Sequence, residues 1–164
     1  MEYNRLSEHS KRSWFIARLI TTVIVTIILL GAIYFTKEVL EIGWVSDFSI
    51  YLYSVIGIIV AFLILNTFIY PAIEYAQWKY MITNDKVDFV EGIFSTKRTI
   101  IPIIRIQQIT MEQGIINKRF NLVNVKIHTA GGAHVIPNIE KEKAVEISEY
   151  LKDKIKKKVI ENDA

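Results

Sequence analysis

Cysteine is absent from this chain. That removes disulfides, thiolate nucleophiles and cysteine-based metal sites together, and it suits a reducing compartment. Charge is absent over long stretches too: no charged side chain occurs from Leu19 to Phe35 or from Phe48 to Ile73. Catalytic signatures are also missing. Gly131-Gly132 has neither a helix directly after it nor a Lys-Ser/Thr step, so it reads as a hairpin turn and not a phosphate loop. No Ser-His-Asp set has local support, and Glu112 and the carboxylates of the last segment are scattered. With Gly131-Gly132 as the turn, Thr129 faces His134 and His128 faces Val135, which sends the two imidazoles to opposite faces and excludes a shared metal. A formal charge of +3 with no recognised motif argues against nucleic acid. The chain is therefore expected to be no enzyme and to hold no cofactor or metal.

What is present is apolar length. The run from Trp14 to Phe35 and the run from Phe48 to Ile73 each exceed the roughly 20 helical residues needed to cross a bilayer core of about 30 Å. Arg18 sits about one turn inside the first run, where a long side chain snorkels to the interface. Tyr51, Tyr53 and Tyr70 lie near the ends of the second, at head-group level. Pro71 falls where it ends or kinks the helix at little cost. Tyr34-Phe35-Thr36-Lys37 is no small-residue cleavage site, so a retained hairpin is expected and not a signal peptide. Arg5, Lys11, Arg12 and Arg18 flank the first span, and Lys79, Lys86, Lys97 and Arg98 come after the second. The connection has Lys37 against Glu38, Glu41 and Asp47. Basic flanks stay inside, so both termini are expected in the cytoplasm at the cell membrane. Asn66, mid-span, has two readings: an amide bonded to the partner helix or a backbone carbonyl, or a polar point on a substrate path of a small oligomeric channel or transporter.

Beyond Glu74 the period of the apolar residues becomes two. The expected divisions are a cytoplasmic segment 1–13, a transmembrane hairpin 14–73 and a cytoplasmic domain 75–164. Lys79 to Thr83 and Lys86 to Val90 read as strands around an Asn84-Asp85 turn. Phe94 to Ile101 reads as a third strand, which Pro102 interrupts. Ile104, Ile106 and Ile109 continue extended, and Ile115 to Phe120 makes a short helical turn. Val123, Val125 and Ile127 alternate with Asn124, Lys126 and His128 in a half-buried strand, and His134 to Pro137 returns from the turn. Ala144, Ile147, Leu151, Ile155 and Val159 then recur at three and four residues, an amphipathic helix with Asn138 as expected N-cap. Glu140 and Glu142 lie early and Lys152, Lys154, Lys156, Lys157 and Lys158 late, which suits the helix dipole. The fold class is α+β: a helical membrane hairpin, then antiparallel strands closed by one C-terminal helix.

Several segments occur together in a familiar order: Tyr80-Met81-Ile82-Thr83-Asn84-Asp85, Pro102-Ile103-Ile104-Arg105-Ile106-Gln107, Gln113-Gly114, Lys118-Arg119-Phe120-Asn121-Leu122, Thr129-Ala130-Gly131-Gly132 and Ile136-Pro137. With the two preceding spans this set resembles the YdbS-like bacterial pleckstrin-homology (PH) membrane proteins. The resemblance implies a PH-like fold of two near-orthogonal antiparallel sheets plugged by the C-terminal helix. It carries over no catalytic residue. Where the family has Phe-Gly-Leu this chain has Phe120-Asn121-Leu122, and asparagine tolerates the left-handed backbone such a turn needs.

Surfaces remain. Lys97, Arg98, Arg105, Lys118, Arg119 and Lys126 lie in or beside strands and turns, and the domain from Tyr75 carries about four more basic than acidic residues. Such residues gain about 1 kcal/mol each near an anionic leaflet, or they form an ordinary solvated face. Asn117-Lys118-Arg119-Phe120 either grips a phosphate or peptide, or uses Phe120 as a core anchor. The leading expectation is a membrane-anchored, non-enzymatic interaction module whose partner is a second copy or a related PH-like membrane protein. The alternative is an anionic-lipid sensor. A role in cell-envelope stress or resistance is suggested by location alone.

Overall fold

The computed structural model describes residues 3–39, 48–93 and 95–162. Glu41 and Asp47, expected to mark the connection between the spans, lie outside that set. So do Phe94 and the side chains of Lys158 and Val159. The chain divides into two compact units, one from Trp14 to Pro71 and one built from the flanking segments, up to Ser13 and from Ala72 onward.

The first unit is carried by two long helices. Helix α1 spans His9–Tyr34 and runs into a π-helical turn, Phe35–Val39; helix α2 spans Ser49–Gln77. At 1.5 Å per residue their 26 and 29 residues extend about 39 and 44 Å, more than a bilayer core. Only 6% of the most apolar stretch of each is buried, so neither is the core helix of a globular domain. Ile33, Ile56, Thr22 and Thr67 are the buried exceptions. The Thr22 and Thr67 hydroxyls meet at 3.1 Å, Phe15 sets its ring edge-on to Phe68 at 5.3 Å, and the Arg18 guanidinium lies 5.3 Å from the Tyr70 ring. Thr67 thus supplies a polar bond between the helices. Its neighbour Asn66 lies within the helix and is half-buried. Helix α2 also runs through Pro71 to Gln77 and is not ended by it. The missing proline N–H removes one bond to the Thr67 carbonyl, which a long helix absorbs.

The second unit is two antiparallel sheets and a helix. Strands β1 (Asn4–Arg5), β2 (Lys79–Ile82), β3 (Lys86–Glu91) and β4 (Lys97–Pro102) form a four-stranded sheet in that order. A 3-10 turn, Ile103–Arg105, leads to β5 (Ile106–Glu112). A short helix α3 (Ile115–Arg119) comes next, then β6 (Leu122–Thr129) and β7 (Gly132–Glu140), and the order in this three-stranded sheet is β5-β6-β7. Helix α4, Lys141–Asn162, closes the domain. Alternation fills the core as expected. Tyr80, Val87, Phe89 and Ile101 come from the first sheet; Val123, Val125, Ile127 and Ile136 come from the second; Ala144, Ile147 and Leu151 come from the α4 stripe. Trp78 stacks on Phe89 at 5.9 Å. Burying one such side chain contributes about 1.5–3 kcal/mol.

Three local readings change. The residues up to Ser13 are not a separate piece: Asn4 pairs with Tyr80, Arg5 pairs with Lys79, and Leu6 is 4% exposed. Asn138 does not cap α4. It lies inside β7 with φ 51°, buried, where β7 carries an extra residue against Asn124. Its N–H donates to Asn124 Oδ1 at 3.0 Å and its carbonyl accepts from Ser10 at 3.2 Å. A β-bulge needs a residue tolerant of left-handed backbone, and asparagine supplies it. The β6–β7 hairpin turns on Ala130-Gly131, because Thr129 is opposite Gly132. His128 then faces Ala133 and Ile127 faces His134, so the imidazoles still lie on opposite faces. The left-handed backbone expected at Asn121 does appear in the structure. Asn121 has φ 54°. Gly92, with φ 118°, follows β3 directly, where an added Cβ would clash with the Ser95 carbonyl oxygen.

The packing of Leu6 predicts that Leu6→Ala lowers the unfolding free energy of the sheet domain by about 2–4 kcal/mol, read from denaturant unfolding of the full chain. A detached N-terminal tail would give no change.

Candidate functional site

The register of the first sheet sorts its side chains by face. Tyr80, Ile82, Val87, Phe89, Thr99 and Ile101 point toward the core. Arg5, Lys79, Met81, Lys86, Asp88, Val90, Arg98 and Ile100 share the other face. Asp88 is a carboxylate with no solvent exposure on that outer face. It survives there because Arg98 clamps it with two charge-assisted bonds, Nε to Oδ1 at 3.0 Å and Nη2 to Oδ2 at 2.6 Å, and Lys86 stands 3.8 Å away. The Arg98 fork holds the Asp88 carboxyl below the usual carboxylate range, and a hydrogen bond from Tyr3 adds to it. Burial pulls the other way and loses.

The six basic residues expected to form a surface fall into different settings. Lys97 and Arg98 open β4, and Lys97 lies 3.7 Å from Glu91. Lys126 projects from β6 onto Glu112 at 2.6 Å. Arg105 ends the 3-10 turn, exposed, and makes no ion pair or hydrogen bond with a described residue. Lys118 and Arg119 end α3, also exposed. Arg105 and α3 sit at opposite ends of the seven-residue β5, about 20 Å apart along the strand. The six therefore do not make one patch, and three of them already face an acid. Phe120, beside Arg119, is half-buried and stacks on His9 at 6.2 Å.

Two features were not visible in the sequence. Arg5, Lys79 and Lys86 join Arg98 on one sheet face, a grouping that needs the long-range pairing of β1 with β2. A cleft of 540 Å³ opens beside β4, lined by Ile100, Ile104, Arg105, Gln107, Gly131 and His134 among others. The sequence signal that could have pointed to it is Ile104-Arg105 directly after Pro102. Among the described residues no three His, Asp or Glu side chains are grouped to hold a metal. The buried Tyr80 hydroxyl is pushed up to about 12, by burial first and by the Glu140 charge second, so it stays protonated.

Comparison with known proteins fits this architecture. The family model for the bacterial PH domain matches residues 13–155, and the chain belongs to that family. The transmembrane protein YdbS of Bacillus subtilis (strain 168) is 38% identical over 81 residues, 49% of this chain and 51% of that protein. The transmembrane protein YdbT of the same organism is 34% identical over 86 residues, 52% of this chain and 17% of that protein. The chain thus spans about half the length of the first relative and less of the second. No solved structure matches it. With two exposed apolar helices and relatives named as transmembrane proteins, the chain is an integral membrane protein bearing a PH-like domain.

The Asp88–Arg98 pair predicts a pH dependence and an asymmetry. A carboxyl whose folded pKa is depressed contributes stability above its unfolded value of about 3.9, and that stability is lost as pH falls through the lower folded value. Thermal unfolding of the full chain should therefore show the wild-type midpoint dropping below about pH 4 more steeply than that of Asp88→Asn. Arg98→Gln should lower the midpoint at pH 7 well beyond Lys126→Gln, because it strands a buried charge while the exposed Lys126–Glu112 pair adds little.

Proposed function

We propose that this protein is a non-enzymatic, membrane-anchored interaction module whose PH-like domain assembles with membrane protein partners at the inner leaflet. The observation that carries the reading is the ladder between β1 and β2. Asn4 and Arg5 precede the first helix, Lys79 and Tyr80 come after the second, and they are paired in one sheet. That pairing supports a topology in which both flanks of the hairpin lie on one side of the bilayer, together with the domain. Positive flanking charge supports the cytoplasmic side. A domain so tethered meets membrane partners at high effective concentration, so contacts of modest affinity suffice. Strands β4, β5 and β7 are outermost in their sheets and offer edges for such contacts.

Anionic-lipid sensing is the second reading. It is supported by the basic outer face, where Arg5, Lys79 and Lys86 stand beside the mutually paired Arg98 and Asp88. Two independent experiments separate the readings and test the topology. Because the chain has no cysteine, single substitutions report access cleanly. Glu8→Cys and Lys152→Cys should resist an impermeant maleimide in intact cells, and Glu38→Cys should react; the reverse pattern would invert the orientation. Mass measurement of the detergent-extracted full chain should give an assembly above the monomer mass. A strict monomer without a bound partner, combined with salt-sensitive attachment to anionic vesicles, would favour the lipid reading instead.

A further inference from the structure

Strand β4 ends its sheet, and its outward edge opens onto the 540 Å³ cleft. The ladder shows which backbone groups that edge leaves free. Ile103 N–H donates to the Asp85 carbonyl at 2.9 Å, and the register continues Lys86 opposite Pro102 and Val87 opposite Ile101. Antiparallel pairs alternate between bonded and unbonded. Lys97, Thr99 and Ile101 therefore spend their N–H and C=O groups on β3. Arg98 and Ile100 turn theirs outward, and Pro102 turns a carbonyl outward with no N–H. The edge thus offers a short ladder that Pro102 terminates. Around it the chemistry is mixed. Ile100 and Ile104 are 47% and 54% exposed, and Arg105 is an exposed cation without a partner among the described residues. His134 lines the far wall, held 6.0 Å from the Phe89 ring.

From this juxtaposition we infer that the β4 edge is a docking site for an extended segment of a partner protein that carries alternating apolar and acidic side chains. The segment adds as a fifth strand by bonding the Arg98 and Ile100 backbones. Its apolar side chains cover Ile100 and Ile104, and a carboxylate meets Arg105. Charge complementarity selects this occupant. A second copy of the same edge would present Arg105 again, with no acid to face it. The inference rests on the interaction-module reading and names the surface that reading uses.

The test uses the full chain in nanodiscs of neutral lipid, with a fluorescent peptide of alternating valine and glutamate and its valine–lysine counterpart. The expected result is saturable binding of the glutamate peptide, about tenfold or more tighter than the lysine peptide. Ile100→Pro removes one outward N–H without touching the β3 ladder, and Arg105→Glu reverses the free cation. Each should weaken binding by about tenfold while the melting midpoint stays near wild type. Absence of saturable binding, equal binding of the lysine peptide, or binding unchanged in both variants would overturn the site. So would inositol hexakisphosphate binding there in place of the peptide, or a dimer of the full chain abolished by Ile100→Pro. If the detergent-extracted assembly persists while the peptide does not bind, the site falls and the module reading stands. If neither is seen, both fall.

Discussion

A two-residue ladder connects the start of the chain to its middle. Asn4 and Arg5 pair with Tyr80 and Lys79, and Leu6 enters the core directly after them. Between the paired residues the chain makes two long apolar helices. The PH-like domain is thus not appended to a membrane hairpin; the hairpin is inserted into the domain, between its first and second strands. The arrangement depends on that pairing. Without β1 the β2 edge would be open, Tyr3 would not reach Asp88, and Ser10 and Ser13 would lose their bonds to Asn138 and Asn117. Closing so long an insertion costs little extra entropy, because the cost grows only with the logarithm of loop length. The Thr22–Thr67 bond and the Phe15–Phe68 contact further hold the two helices together.

The second constraint is the buried carboxylate. Asp88 faces away from the core and still has no access to water, because Arg98 and Tyr3 lie over it. A charge in that position is costly unless it is paired and fully bonded. Its presence fixes Arg98 in one place and removes that residue's charge from any free patch. Charge on this domain is consequently less available than its composition implies. Lys97 and Lys126 are answered by Glu91 and Glu112, while Arg105, Lys118 and Arg119 remain exposed at separate corners.

The candidate surfaces were partly legible. Arg105 beside exposed isoleucines could be suspected from Ile104-Arg105 after Pro102, since proline ends a ladder and exposes the residues next to it. The cleft could not, because its far wall is the β6–β7 hairpin, and only the packing of two sheets sets Gly131 and His134 opposite β4. The basic outer face was hidden for a similar reason. Lys79 and Lys86 sit on neighbouring strands, but Arg5 reaches them across both helices. A shift of one residue in the hairpin turn, from Gly131-Gly132 to Ala130-Gly131, altered every cross-strand partner without moving any side chain to the other face of β6.

What the sequence by itself determined is what short-range physics decides. Apolar length defined the two helices, period two defined the strands, and the three-and-four spacing of Ala144, Ile147 and Leu151 defined the face of α4. The left-handed turn at Asn121 came from the one residue besides glycine that accepts it readily. What only the tertiary structure decided is pairing between distant segments. That includes β1 joining β2, the bulge that turned Asn138 from a helix cap into a buried strand residue, the clamp of Arg98 on Asp88, and the cleft along β4. Each depends on free energy gained when residues far apart in sequence exclude water together, and no local pattern of residue types encodes which partner that will be.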